Sequence, residues 1–104
     1  MEKRILLVKE FGDNIFTRNT ISSLIDSIEK LKQSKIVFDF KGIDFISRSC
    51  ADEYMRRKNK SEKKFIEINM SPNVCSMFKV VEAQYKEAGI SFSIISNKCQ
   101  EIAV

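Results

Sequence analysis

Two kinds of residue spacing alternate along the chain. Continuous runs of apolar and β-branched residues are typical of buried strands, and apolar residues three or four apart are typical of one helix face. The predicted strands are residues 4–11, 35–40, 65–68 and 90–95, with shorter pairing segments at 15–16 and 43–46. Turn-forming residues at 12–14 and 41–42 separate the first two strands from these short segments.

Three helices are predicted between the strands. The first begins at Thr17 or Asn19, both of which can cap a helix, and its apolar positions extend to Leu31. The second begins at Ser49 and ends in a run of basic residues. The third begins after Ser71, a capping hydroxyl followed by proline at the first helical position, and is expected to end before the glycine at position 89.

Strands that alternate with helices are typical of crossover connections between parallel strands. We therefore predict an α/β fold: a single-layer, mainly parallel sheet of about four to five strands covered by helices. The 104 residues match the usual size of one domain. Residues 1–104 are thus expected to form a single domain, in which 97–104 are a tail whose order the pattern does not define.

No membrane or export signal is recognised in the chain. The first apolar run, residues 5–8, is too short for the core of a signal peptide, and no run approaches the roughly 20 residues that span a bilayer. We therefore expect a cytoplasmic protein that makes no contact with a membrane.

The sequence contains no histidine. Histidine is the usual general base near neutral pH, so Ser-His and Cys-His nucleophile arrangements are excluded. The three cysteines, Cys50, Cys75 and Cys99, are widely spaced and are predicted to be buried, reduced thiols rather than disulfides or zinc ligands. We predict no catalytic residue, cofactor or metal site, and no enzymatic activity. A carboxylate-dependent enzyme is the least favoured alternative.

The segment from residue 36 to residue 53 carries the functional signal. Val37-Phe38-Asp39-Phe40, followed by Phe45-Ile46-Ser47-Arg48-Ser49, resembles the signature of the STAS domains of bacterial anti-sigma-factor antagonists. Ser47-Arg48-Ser49-Cys50-Ala51-Asp52-Glu53 is similar to the Phe-Ala-Asp-Glu motif of the uncharacterised STAS-like family, with Cys50 in place of Phe. Thr17-Arg18 matches the Ser/Thr-Arg pair that opens the first helix of that family.

This resemblance, which covers about residues 5–96, implies a regulatory domain that works by protein–protein contact. In the antagonists, the serine that matches Ser49 is phosphorylated by a partner ATPase kinase, and the unmodified form binds that kinase. The implied partner is therefore a histidine-kinase-like ATPase, or anti-sigma factor. The implied contact and phosphorylation surface consists of Ser47, Arg48, Ser49, Asp52 and Glu53.

The chain departs from the antagonist pattern in ways that bear on phosphorylation. Ser47 replaces an aspartate and Cys50 replaces a glycine. Asp52 and Glu53 place two carboxylates in the first turn, where they are expected to repel a phosphate on Ser49.

Several of these residues also have a structural interpretation. Ser49-x-x-Asp52 fits a capping box, in which the serine caps the helix without any regulatory role. Asp39 lies in a strand that should be buried, so its carboxylate needs a partner, and Arg18 or the turn amides at 42–45 are the nearest candidates. Arg18 could instead form an ion pair with Asp52 or Glu53.

A cluster of cations provides an alternative function. The formal net charge is +4, and such a cluster could bind nucleic acid or an anionic ligand, or simply complement a helix C-terminus. No aromatic residue is interleaved to stack against bases, which disfavours nucleic acid. The cluster consists of Arg56, Arg57, Lys58, Lys60, Lys63 and Lys64.

Overall fold

The computed structural model describes residues 2–12, 14–15 and 17–87, in which strands and helices alternate. The elements are β1 (Glu2–Leu6), α1 (Leu7–Phe11), β2 (Asn14–Ile15), α2 (Arg18–Glu29), β3 (Lys35–Asp39), β4 (Phe45–Ile46), α3 (Arg48–Lys60), β5 (Lys64–Ile68) and α4 (Pro72–Glu87). The predicted α/β class is confirmed.

The main sheet has three parallel strands in the order β1-β3-β5, so β3 is central and hydrogen-bonds to both neighbours. The two short strands, β2 and β4, pair in parallel as a separate ladder. The described residues therefore do not form the predicted single sheet of four to five strands. The strand predicted at 90–95 and the tail at 97–104 lie outside the described residues, as does the glycine expected to end the last helix.

The core lies between one face of the sheet and the three long helices. Phe38, on β3, is almost fully buried, and its ring centroid lies 5.2 Å from that of Tyr54 on α3 and 5.1 Å from that of Phe65 on β5. Phe40, which directly follows β3, and Phe78, on α4, extend this edge-to-face cluster. Helix α3 contacts both α2 and α4. The sheet and the helix layer thus bury the aromatic rings between them.

The first strand ends earlier than predicted. The expected strand at 4–11 is wrong beyond Leu6, because Leu7–Phe11 forms the short helix α1, with Leu7 in the core. Pairing explains this difference: β1 follows β3 only until Leu6 lies opposite Asp39, where β3 ends. Without a partner strand beyond that point, the apolar run buries its side chains as a helical turn instead.

A tight turn carries the chain from β3 toward β4. Gly42 has a φ of 85°, in the left-handed region that favours glycine, and a Cβ at this position would lie 3.3 Å from Cγ2 of Val8. Both the backbone conformation and the close approach of α1 thus favour glycine at this position. The turn directs the following residues to the start of α3.

Two of the three predicted helix starts are confirmed. Thr17 caps α2, since its hydroxyl accepts a hydrogen bond from the Thr20 N–H (3.3 Å). Ser71 accepts in the same way from the Val74 N–H (3.2 Å) at the start of α4. No helix in the described part of the chain is long and apolar enough to cross a membrane.

The cysteines differ in oxidation state. Cys50 is a buried free thiol, as predicted, but Cys75 is disulfide-bonded, so the prediction of three reduced thiols is wrong at Cys75. Wide spacing along a sequence does not reveal which cysteines the fold brings within bonding distance.

Candidate functional site

Helix α3 begins two residues before the predicted start. The Ser47 backbone is extended, and its hydroxyl accepts a hydrogen bond from the Cys50 N–H (3.2 Å), so Ser47 is the N-cap. The capping box predicted for Ser49 is therefore wrong, because Ser49 already lies within the first turn. Ile46, buried and paired with Ile15 in the short ladder, fixes where the extended backbone ends.

Ser49 is consequently not used as a cap. Its side chain is half-buried, and its hydroxyl lies 3.2 Å from that of Ser47, at hydrogen-bonding distance. Arg48, which precedes it, is exposed. The corner between β4 and α3 thus presents a hydroxyl and a guanidinium at the surface.

Arg18 joins this corner to α2. Its Nη2 donates to Oδ2 of Asp52 (3.0 Å) and its Nη1 donates to Oε1 of Glu53 (3.3 Å). The ion pair predicted as an alternative for Arg18 is confirmed, and the pairing of Arg18 with Asp39 is wrong. The guanidinium holds the N-terminal ends of α2 and α3 side by side.

The buried thiol of Cys50 makes a second link between the same two helices. Its Sγ donates to the carbonyl oxygen of Thr17 at 2.7 Å. Burial raises the pKa of the Cys50 thiol, although the cap hydroxyl of Ser47 and the charge of Arg18 partly oppose this. Cys50 therefore stays a protonated, packed donor rather than a nucleophile at neutral pH.

Asp52 also connects α3 to α4. The Tyr85 hydroxyl donates to Oδ1 of Asp52, while Oδ2 accepts from Arg18. Burial, and then the hydrogen bond and negative charge of Asp52, raise the pKa of Tyr85 to about 12. Tyr85 therefore remains a hydrogen-bond donor at neutral pH, and each oxygen of Asp52 accepts one hydrogen bond.

These contacts border an open pocket of about 420 Å³, lined by Arg18, Arg48, Ser49, Asp52 and Gln84. Arg48 and Gln84 make no hydrogen bond or ion pair with any residue that the structure describes. The fold thus brings most of the predicted surface residues together with Arg18. The contribution of α4, through Gln84 and Tyr85, was not predicted.

Asp39 belongs to a different cluster. It is 1% exposed at the end of β3, and it accepts hydrogen bonds from Nη2 of Arg4 (2.5 Å), Nδ2 of Asn69 (3.0 Å) and the Lys41 N–H (2.9 Å). Burial by itself would raise the pKa of Asp39, but these hydrogen bonds and the Arg4 charge outweigh it, so the pKa is lowered. Arg4 thus replaces the predicted partners.

The basic cluster does not form one uniform surface. Arg57 turns toward α2, where its Nη2 lies 2.6 Å from Oδ1 of Asp26, and Lys58 turns toward the sheet, where its Nζ lies 2.7 Å from Oε2 of Glu67. These two cations are paired within the molecule.

The other four cations are dispersed. Lys63 donates to two backbone carbonyls of the segment that follows α2, at 2.6 and 2.7 Å. Arg56 lies 3.9 Å from a carboxylate oxygen of Glu53. Lys60 and Lys64 are exposed and form no ion pair within the described residues.

Sequence reasoning missed a buried polar network on the core face of the sheet. Glu67 is 2% exposed and accepts from the Tyr54 hydroxyl (2.5 Å) as well as from Lys58. Burial, and then the charge of Glu67, raise the pKa of Tyr54 well above its usual value. A carboxylate between two isoleucines in a predicted strand was the available signal. The network satisfies the buried charge of Glu67.

Within the described ranges, no group of three or more cysteine, aspartate, glutamate or histidine residues is arranged to hold a metal ion. Comparison of the chain with models of known protein families, with characterised proteins and with solved structures yields no match.

The two serines of the corner make distinct contributions to stability. Ser47→Ala removes the cap and should lower the free energy of unfolding by about 1 kcal/mol. Ser49→Ala should change it by less than about 0.5 kcal/mol, because the hydroxyl caps nothing and alanine favours the helix. Urea denaturation monitored by circular dichroism measures both. Equal losses for the two variants would contradict the assignment of Ser47 as the cap.

Asp39 should make the free energy of unfolding depend on pH. Because its folded-state pKa is lowered, the stabilisation from its charged form is complete above pH of about 4 and is lost as the pH falls through the lowered value. Asp39→Asn should lower the free energy of unfolding by about 1–3 kcal/mol at pH 7. The difference in this free energy between the variant and the wild type should become smaller below pH of about 4. Urea denaturation between pH 7 and pH 2.5 tests this.

Asp44, an exposed residue in the turn after β3, supplies the matched control. The free energy of unfolding of Asp44→Asn should stay within about 0.5 kcal/mol of the wild-type value at every pH. A gap between Asp39→Asn and wild type that stays constant from neutral to acid pH would contradict the assigned ion pair.

Proposed function

We propose that this protein is a cytoplasmic, non-enzymatic, STAS-like interaction domain that acts as a regulatory switch through the corner at the start of α3. The working surface consists of Ser47, Arg48, Ser49, Asp52 and Glu53. One observation carries the proposal: the Ser49 hydroxyl lines an open pocket beside two guanidinium groups and is not needed to cap the helix.

Fold and motif together support the STAS-like assignment. The Asp-containing strand that carries the motif is the central strand of a parallel α/β sheet, and a turn leads from it to the serine-bearing helix start. The resemblance further implies one sheet of four to five strands, to which the predicted strand at 90–95 would belong.

The electrostatics of the corner support phosphorylation at Ser49. A phosphate adds about −1.5 to −2 charge, and the sequence led us to expect repulsion from Asp52 and Glu53. Both carboxylates are instead paired with Arg18, and Arg48 contributes a second guanidinium to the same pocket. Repulsion is thereby reduced, and the modification would add negative charge to the surface that the corner presents to a partner.

The proposed partner is a histidine-kinase-like ATPase that binds the unmodified form. A non-enzymatic role agrees with the absence of histidine from the sequence and with the pairing of the acidic side chains to Arg18. The alternative, anion or nucleic-acid binding by residues 56–64, lacks comparable support because Arg57, Lys58 and Lys63 are engaged within the molecule.

The switch can be tested by substitution at Ser49. Affinity capture from the source organism, with mass spectrometry of Ser47 and Ser49, identifies the partner and any modification. Binding of the purified partner is then measured by calorimetry. Ser49→Ala should bind within about twofold of wild type, and Ser49→Asp should bind at least about tenfold more weakly, since it places a charge at the interface.

Ser76→Asp is the matched control, because Ser76 is an exposed helical serine eight residues, or about 12 Å along α4, from Gln84. It should bind like the wild type. Equal binding by Ser49→Ala and Ser49→Asp would remove the switch and leave only a docking surface.

A further inference from the structure

The pocket beside Ser49 is lined by a guanidinium, that of Arg48, and an amide side chain, that of Gln84, which have no hydrogen-bond partner among the residues that the structure describes. We propose that it binds a small organic molecule through an anionic group, either a phosphate or a carboxylate. Arg48 is the main residue that binds this group. The pocket volume of about 420 Å³ lies within the range of small-molecule sites. The inference goes beyond the proposed switch, because it assigns ligand chemistry to a pocket that does not require Ser49 to be modified.

The hydrogen-bond inventory of the lining residues carries the argument. Asp52 is the acidic residue of the lining, and each of its oxygens already accepts a hydrogen bond, from Arg18 or from Tyr85. Arg48 and Gln84 have no partner among the residues that the structure describes. What remains available is a guanidinium fork and an amide, together with the Ser49 hydroxyl. This set suits an acceptor-rich group.

The net charge of the pocket lining also favours an anionic ligand. The lining contains two guanidinium groups and one carboxylate, an excess of one positive charge. Arg18 is paired with Asp52, and the Glu53 carboxylate also lies within 4 Å of Arg56 and Arg57, so the charge that remains in the lining is that of Arg48. A guanidinium binds phosphate or carboxylate through two parallel hydrogen bonds, whereas it would repel a cationic ligand.

The pocket also gives the proposed switch a second consequence. If Ser49 is phosphorylated, as the proposed function requires, the attached phosphate would lie at the wall of the same pocket and occupy the donors of Arg48. A free oxyanion and a modified Ser49 would then exclude each other. This consequence rests on the proposed function, whereas binding to the unmodified protein does not.

The test is an NMR titration of the ¹⁵N-labelled full chain with inorganic phosphate, and separately with acetate, at constant ionic strength. Saturable shifts are expected at the backbone amides of Arg48 and Ser49 and at the side-chain amide of Gln84. Arg48→Gln should weaken phosphate binding by about tenfold, because it removes a charged hydrogen-bond donor. Arg56→Gln, at an exposed arginine eight residues along the same helix, should remain within about twofold of wild type.

The outcomes separate this inference from the switch. Ser49→Ala should retain phosphate binding within about threefold, since it keeps both guanidinium groups, whatever it does to a protein partner. Binding of phosphate but not acetate supports the site and narrows the ligand to phosphates. Absence of saturable shifts with both anions would overturn the inference, and so would equal weakening by Arg48→Gln and Arg56→Gln, which indicates a diffuse charge effect.

Discussion

The contact between Arg18 and the two carboxylates of α3 is the constraint on which the candidate site depends. Arg18 is the first residue of α2, and Asp52 and Glu53 lie within the first turns of α3, so the guanidinium fixes two helix N-termini next to each other. The Arg18 side chain is 42% exposed, and exposed pairs of this kind contribute only about 0.2–1 kcal/mol. Its importance is geometric. It orients the corner that displays Arg48 and Ser49.

Two neighbouring hydrogen bonds, one from a buried thiol and one from α4, also stabilise this arrangement. The Cys50 thiol donates to the backbone of Thr17, and the Tyr85 hydroxyl donates to Asp52. Helices α2 and α4 therefore both contact the start of α3. This convergence leaves the Ser49 hydroxyl and the Arg48 guanidinium at the surface rather than in the core, which suits contact with another molecule.

Much of the fold follows from residue spacing, and the differences have identifiable physical causes. Strands β3 and β5 and helices α2 and α4 were predicted, because their apolar periodicity and capping residues agree. The end of β1 was not predicted, since the run Leu6-Leu7-Val8 suits either a strand or a helix. Only the register with β3 decides between the two. Ser47 and Ser49 are equally good caps by residue type, and the buried position of Ile46 selects Ser47.

The site could be predicted only where its residues share a short segment. The corner at 47–53 was recognised from consecutive residues, and Arg18 from a local pair. Gln84 lines the pocket and Tyr85 contacts Asp52 from a helix more than 30 residues away. Arg4 meets Asp39 because the β1–β3 register places Leu6 opposite Asp39 and Arg4 two residues earlier on the same face. No spacing rule supplies that register.

A double-mutant cycle between Arg18 and Asp52 measures the central contact directly. Arg18→Gln, Asp52→Asn and the double variant are compared with wild type by urea denaturation. Asp52→Asn retains the Oδ1 acceptor used by Tyr85, so the cycle isolates the ion pair. A coupling free energy of about 0.5–1 kcal/mol is expected. Effects that add within about 0.3 kcal/mol would show that the ion pair between Arg18 and Asp52 does not link the two helices.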